Sequence, residues 1–164
     1  MSIYVGGSEL FAPYVGGQMC EWVYSGSNVI WERPNVWGLR TTSSNSGTGN
    51  SYNQVTSLNL NGDYPRTVGD SNRLHVPAHC PSSFQVTVSA RGSYSGGMLP
   101  STNLRIIHNG SNVATSGNND LNVSATRTVS PGDWFSLQFR GEGQLFNRPS
   151  LNSGATLTVT PIGY

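Results

Sequence analysis

Phe84-Gln85-Val86-Thr87-Val88-Ser89-Ala90 is the stretch whose reading decides the fold. Apolar residues stand at every second position, with Gln, Thr and Ser between them. Side chains of an extended strand point alternately to its two faces. The period therefore puts Phe84, Val86, Val88 and Ala90 on a buried face and leaves the other face to solvent. The same pattern recurs outward from this stretch. Phe135, Leu137 and Phe139 alternate after the turn Pro131-Gly132-Asp133, and Ala155, Leu157 and Val159 alternate near the end of the chain. Leu104 to His108 runs into Asn109-Gly110, the pair best suited to a two-residue hairpin, and Val113 to Ser116 answers it. Leu121, Val123 and Ala125 make a further strand. No segment keeps a helical period over ten residues. Short strands broken by frequent turns define an all-β sandwich or barrel.

Upstream, Val36 to Thr41 reads as the first strand of this unit. Thr42 to Asn53, Gly92 to Ser101 and Gly141 to Ser153 read as loops. Gln54 to Leu60 reads as one strand closed by a hairpin turn at Asn61-Gly62. Tyr64 to Gly69 reads as an edge segment, because Pro65 removes a ladder donor. Leu74 to Pro77 leads into a proline-flanked turn at Ala78 to Pro81.

The N-terminus is organised differently. Tyr4-Val5-Gly6-Gly7 returns as Tyr14-Val15-Gly16-Gly17 and, more loosely, as Tyr24-Ser25-Gly26-Ser27. Paired glycines allow positive φ, so each unit is expected to reverse as a tight hairpin. A unit this short cannot bury an apolar face alone and needs neighbours or another chain. Arg33-Pro34 ends the run. The expected division is residues 1–33, a three-unit β-hairpin repeat for attachment or oligomerisation, and residues 36–164, the sandwich. The expected contact residues are the aromatics Tyr4, Phe11, Tyr14, Trp22, Tyr24, Trp31 and Trp37. Trp22, Trp31 and Trp37 crowd the junction, where they serve either as a local core or as an intermolecular contact.

With 164 residues the chain can bury roughly 70% of its unfolded surface without staples. Charged residues make up 10% and net charge is +1, which argues against a nucleic-acid partner. No stretch approaches the roughly 20 apolar residues that span a bilayer, and no secretory signal is read at the N-terminus. All nine basic residues are arginine, as a GC-rich genome favours. Cys20 and Cys80 are too few for a disulfide framework; a single bridge and two free thiols both fit, and a reducing cytoplasm favours thiols.

Candidate chemistry is incomplete. Gly69-Asp70-Ser71-Asn72 resembles the nucleophile block of a lipase and esterase family, but no histidine follows His108 to act as base, so an Asp-Ser turn is the expected use. His75, His79 and Cys80 make only part of the four ligands of a closed zinc site. Asp120 beside Asn118-Asn119 lacks EF-hand spacing. Asp63, Asp70, Asp133 and Glu142 are scattered in turns. No catalytic residue, metal or cofactor is predicted. Trp134, out of phase with Phe135, is expected to face outward, where it can stack on a sugar ring.

Two resemblances add to this. The tandem units closing on Val29-Ile30-Trp31-Glu32-Arg33-Pro34 are similar to the N-termini of minor tail proteins of tailed bacteriophages, especially those of actinobacterial hosts. The order of strand 84–90, the 104–114 hairpin, Val129 to Leu137 and Ala155 to Gly163 resembles the complement-type, tumour-necrosis-factor-like jelly roll. Cys80-Pro81-Ser82-Ser83-Phe84 departs from the Gly-x-Tyr common in that family. The resemblances imply a non-enzymatic structural component of a virion, assembled in the host cytoplasm. It would be a minor tail protein docked on other virion proteins through its repeat, with a homotrimeric jelly roll projecting outward. A capsid decoration protein and a module binding a host-surface glycan are the alternatives.

Overall fold

The computed structural model describes residues 3–5, 8–10, 13–70, 72–97, 101–143 and 147–164, and every regular element in them is a strand. The chain opens with three antiparallel pairs. These are β1 (Ile3–Val5) with β2 (Ser8–Leu10), β3 (Tyr14–Val15) with β4 (Gln18–Met19), and β5 (Trp22–Ser25) with β6 (Asn28–Glu32). Gly16 and Gly17 take φ of 59° and 81°, the positive values a two-residue primed turn requires.

Two larger sheets follow. The strands are β7 (Trp37–Thr41), β8 (Asn45–Ser46), β9 (Asn53–Gln54), β10 (Leu58–Leu60), β11 (Val68–Asp70), β12 (Arg73–His75) and β13 (Phe84–Arg91), then β14 (Tyr94–Ser95), β15 (Ser101–His108), β16 (Ser111–Thr115), β17 (Asn122–Val129), β18 (Trp134–Glu142), β19 (Ser150–Leu151) and β20 (Thr156–Pro161). One sheet runs β10-β7-β20-β13-β17; the other runs β11-β12-β18-β15-β16, with β9 also pairing β18. The chain crosses between the sheets from β12 to β13, from β13 to β15, from β16 to β17, and again on each side of β18. This interleaving is of the jelly-roll kind.

The alternation read at residues 84–90 holds: Phe84, Val86, Val88 and Ala90 are buried. With Trp37, Leu39, Leu157 and Val159 they meet Leu74, Leu104, Ile106, Phe135, Leu137 and Phe139 of the other sheet in one core. Each such burial contributes roughly 1.5–3 kcal/mol, so the core closes without a cross-link, and both cysteines are free thiols. Asn109 and Gly110 take φ of 48° and 85°, as a primed hairpin turn between β15 and β16 demands.

Four expectations are corrected. Gln54 to Leu60 is not one strand. Ser57 sits at φ 60° and breaks it, so β9 joins the six-stranded sheet and β10 the five-stranded one, with Val55 and Leu58 both buried. Asn61-Gly62 does not close a hairpin, because β10 pairs back on β7. Each loop read at 42–53, 92–101 and 141–153 contributes a two-residue strand, and β14-β19-β8 form a small sheet capping one end of the sandwich. Leu121 precedes β17, which runs on to Val129. The third hairpin, the Asn109-Gly110 and Pro131–Asp133 turns and the C-terminal Tyr164 gather at the other end, where Tyr164 meets Phe84 edge-on at 5.8 Å.

Candidate functional site

The third hairpin is seated on the sandwich. Glu32 N–H donates to the His79 carbonyl at 2.8 Å, and Arg33 N–H donates to the Glu21 carbonyl at 2.8 Å. Arg66, from the sandwich, lies 2.8 Å from the Glu21 carboxylate and 3.9 Å over the Trp22 ring. Trp31 is fully buried. Trp37 is buried as well and packs edge-on against Phe84 at 6.2 Å. These two indoles, placed by sequence among the attachment residues, are therefore enclosed within the chain, where their large apolar rings are best removed from water. The boundary drawn between residues 1–33 and 36–164 accordingly runs through a connected junction. Of the remaining attachment candidates, Tyr14 is 60%, Tyr24 56% and Trp22 39% exposed, and Val15, beside Tyr14, is 75% exposed. The Tyr4 side chain and Phe11 lie outside the described residues.

The junction holds three titratable groups in one place. Burial raises the Glu32 carboxyl above its usual range, against the pull of Arg66 and His79. Burial, with Glu32 nearby, pushes the Cys80 thiol up to about 12, which leaves it unreactive. Burial also raises the Tyr164 phenol, with Cys80 beside it.

The candidates for chemistry are dispersed. Asp70 accepts from Asn72 N–H at 3.0 Å and lies 3.4 Å from His75 Nε2. The Asn72 backbone bond chiefly lowers its pKa, with His75 assisting. Ser71 lies outside the described residues. His108 stacks on Phe135 at 4.6 Å and places Nε2 3.3 Å from Asp133. Asp133 also accepts from Asn109 Nδ2 at 2.7 Å and from Ser130 N–H at 2.9 Å. Burial raises the Asp133 pKa, but these hydrogen bonds outweigh it and hold the carboxyl below its ordinary value. The group thus clasps two turns together. Asp120 caps its own turn by accepting from Asn122, while Asn119 ties the loop to Thr102 N–H at 3.0 Å. Among the described residues no three His, Cys, Asp or Glu converge as metal ligands.

Trp134 is half-buried, and Arg73 lies 4.3 Å over its ring, so the guanidinium takes one of its faces. Sequence reasoning missed a related cluster. Arg105 lies 3.6 Å over Tyr52, with Arg140 5.5 Å from the same ring and bonded to Asn103 Oδ1 at 2.5 Å. The β15–β18 register and the pairing of β9 beside β18 bring these residues together. It also missed a groove of about 540 Å³ on the outer face of the five-stranded sheet, walled by Tyr64 and floored by Ser89, Ser124, Thr156 and Thr158. Those residues are the polar half of alternating strands, which a search for apolar periodicity passes over.

Compared with known protein families and with curated proteins, the sequence matches no family model and no curated relative.

Proposed function

We propose that the chain is a non-enzymatic structural component of a tailed-phage virion, a minor tail protein that docks through its N-terminal hairpins and carries a trimeric jelly roll outward. One observation carries this reading. The sandwich closes its own core, while Tyr14, Val15, Trp22 and Tyr24, most of the large exposed apolar side chains among the described residues, sit on the hairpins. Aromatic rings left open on units too small to be stable alone are what a docking segment offers a partner.

The test is truncation within the phage that encodes the chain. Deleting residues 1–20 removes the first two hairpins and keeps the seated third one. The truncated chain should fold, sediment as a trimer and be missing from purified particles. Normal copy number in the particles would overturn the docking role, and a monomer at tens of micromolar would overturn the trimer.

A further inference from the structure

The groove on the five-stranded sheet is built around a strand glycine. At Gly38, on β7, the Cδ2–Cε2 edge of the Tyr64 ring fills the place of a side chain: Cε2 lies 2.6 Å from where a Cβ would be. The next atom is the Leu157 carbonyl oxygen at 3.5 Å, so no other ring atom comes as near. The ring therefore meets the sheet by that edge, directly over Gly38. It is held there by its backbone. Thr67 Oγ1 donates to the Tyr64 carbonyl at 2.8 Å and accepts from Gly38 N–H at 3.0 Å, while Tyr64 N–H donates to the Asn61 carbonyl at 2.9 Å.

The floor is laid out by strand register. Gly38 pairs with Thr158, Thr158 with Ser89, and Ser89 with Ser124, so one row runs from the tyrosine wall across three hydroxyls. Two residues along, Thr156 pairs with Arg91 and Arg91 with Asn122. Neighbouring strands lie about 4.8 Å apart, which is close to the advance of a linear saccharide per sugar residue. Among the described residues, the side chains of Ser89, Arg91, Ser124, Thr156 and Thr158 have no hydrogen-bond or ion-pair partner. Asn122 donates to Asp120 and keeps its carbonyl oxygen free.

The chemistry of the trough selects its occupant. A protein interface needs apolar anchors at its centre, whereas among the described residues the outward side chains of this floor, Ser89, Arg91, Asn122, Ser124, Thr156 and Thr158, are all polar. A nucleic acid needs several cations; among the described residues that line the groove Arg91 is the one cation, and Arg40, beside Thr156, is paired with Asp63. An aromatic face beside a row of unpaired hydroxyls, with an amide and a guanidinium at the end, suits a polyol whose C–H face meets the ring and whose hydroxyls meet the floor. We infer that this groove binds a short uncharged oligosaccharide, with Tyr64 as its stacking wall. The site is separate from Trp134 and does not rest on the docking role of the hairpins.

The full-length chain, labelled with ¹⁵N, is titrated with cellohexaose, maltohexaose and the acidic hyaluronan hexasaccharide. One of the two uncharged sugars should saturably shift the amides of residues 89, 91, 122, 124, 156 and 158. Tyr64→Ala should weaken that binding roughly tenfold or more. Ser89→Val with Thr158→Val, which keeps strand propensity while removing hydroxyls, should do the same. Thr87→Val, on the same face beyond the groove, should leave it unchanged. The inference is overturned if neither uncharged sugar shifts these amides, if only hyaluronan does so, or if the valine variant folds and binds as before.

Discussion

Trp22 faces Glu32 across the third hairpin, whereas Trp31 faces Val23, so the two indoles leave opposite sides of the same ribbon. One side rests on the sandwich and the other lies under Arg66. Trp31→Ala should therefore lower stability by about 3–5 kcal/mol, as truncation of a buried Trp does. Trp22→Ala should cost about 0.5–1 kcal/mol, the worth of an exposed cation–π contact. Denaturant melts of the two variants check this, and equal losses would contradict the seating of Trp31. Sequence alone could not separate them, because both are aromatics at strand ends and only the face of the ribbon differs. Glu32 gives a pH test at the same junction. Its folded pKa is raised, so its stabilising contribution is present below its unfolded pKa and is lost as pH rises through the folded one. Glu32→Gln should melt above wild type at pH 7, and the gap should close near pH 3, where both side chains are neutral. A variant melting lower at pH 7 would mean that attraction to Arg66 outweighs desolvation.

Among the elements, the Asn109-Gly110 hairpin and the Pro131–Asp133 turn are separated in sequence but joined by one carboxylate. Asp133 holds Asn109 Nδ2, Ser130 N–H and His108, and Asn109 Oδ1 accepts from Trp134 N–H at 2.9 Å. Asp133→Ala should cost about 1–3 kcal/mol, since the exposed Asn109 amide and Ser130 N–H lose a charged acceptor and the half-buried His108 imidazole loses its nearby carboxylate. Thermal melts check this, and amide exchange should quicken first at residues 109 and 134. Both turns were legible from Asn-Gly and Pro-Gly-Asp, because each needs particular backbone angles that few residues supply. The clasp was not legible, because it depends on which strands lie side by side. The long strands β13, β18 and β20 announced themselves by alternation. The two-residue strands β8, β14 and β19 could not, since two residues cannot display a period of two.

For the whole molecule, composition and spacing gave the all-β class and the sandwich, while the interleaving of strands between the two sheets appears only in the pairing. The groove stayed hidden for a physical reason. Gly38 reads as an interruption in a strand pattern, and its purpose appears only when Tyr64, far along the chain, is seen standing where its side chain would be. Polar residues on a solvent face carry no periodic mark of their own. What distinguishes Ser89, Ser124 and Thr158 is that they share one row, which is a property of pairing between strands.

The seating of the third hairpin at the same end as Tyr164 has a mechanical consequence. Ladder hydrogen bonds lie across the strands. If the hairpins are the fixed point and tension arrives through the groove, the pull runs lengthwise along β7, β20 and β13. Their bonds then carry the load together in shear. A pull on Tyr164 against the same fixed point instead peels β20 from β7 at the end where both are held, opening one bond at a time. Single-molecule stretching should therefore need a clearly higher rupture force when the handle is placed at Arg91 than when it is placed at Tyr164.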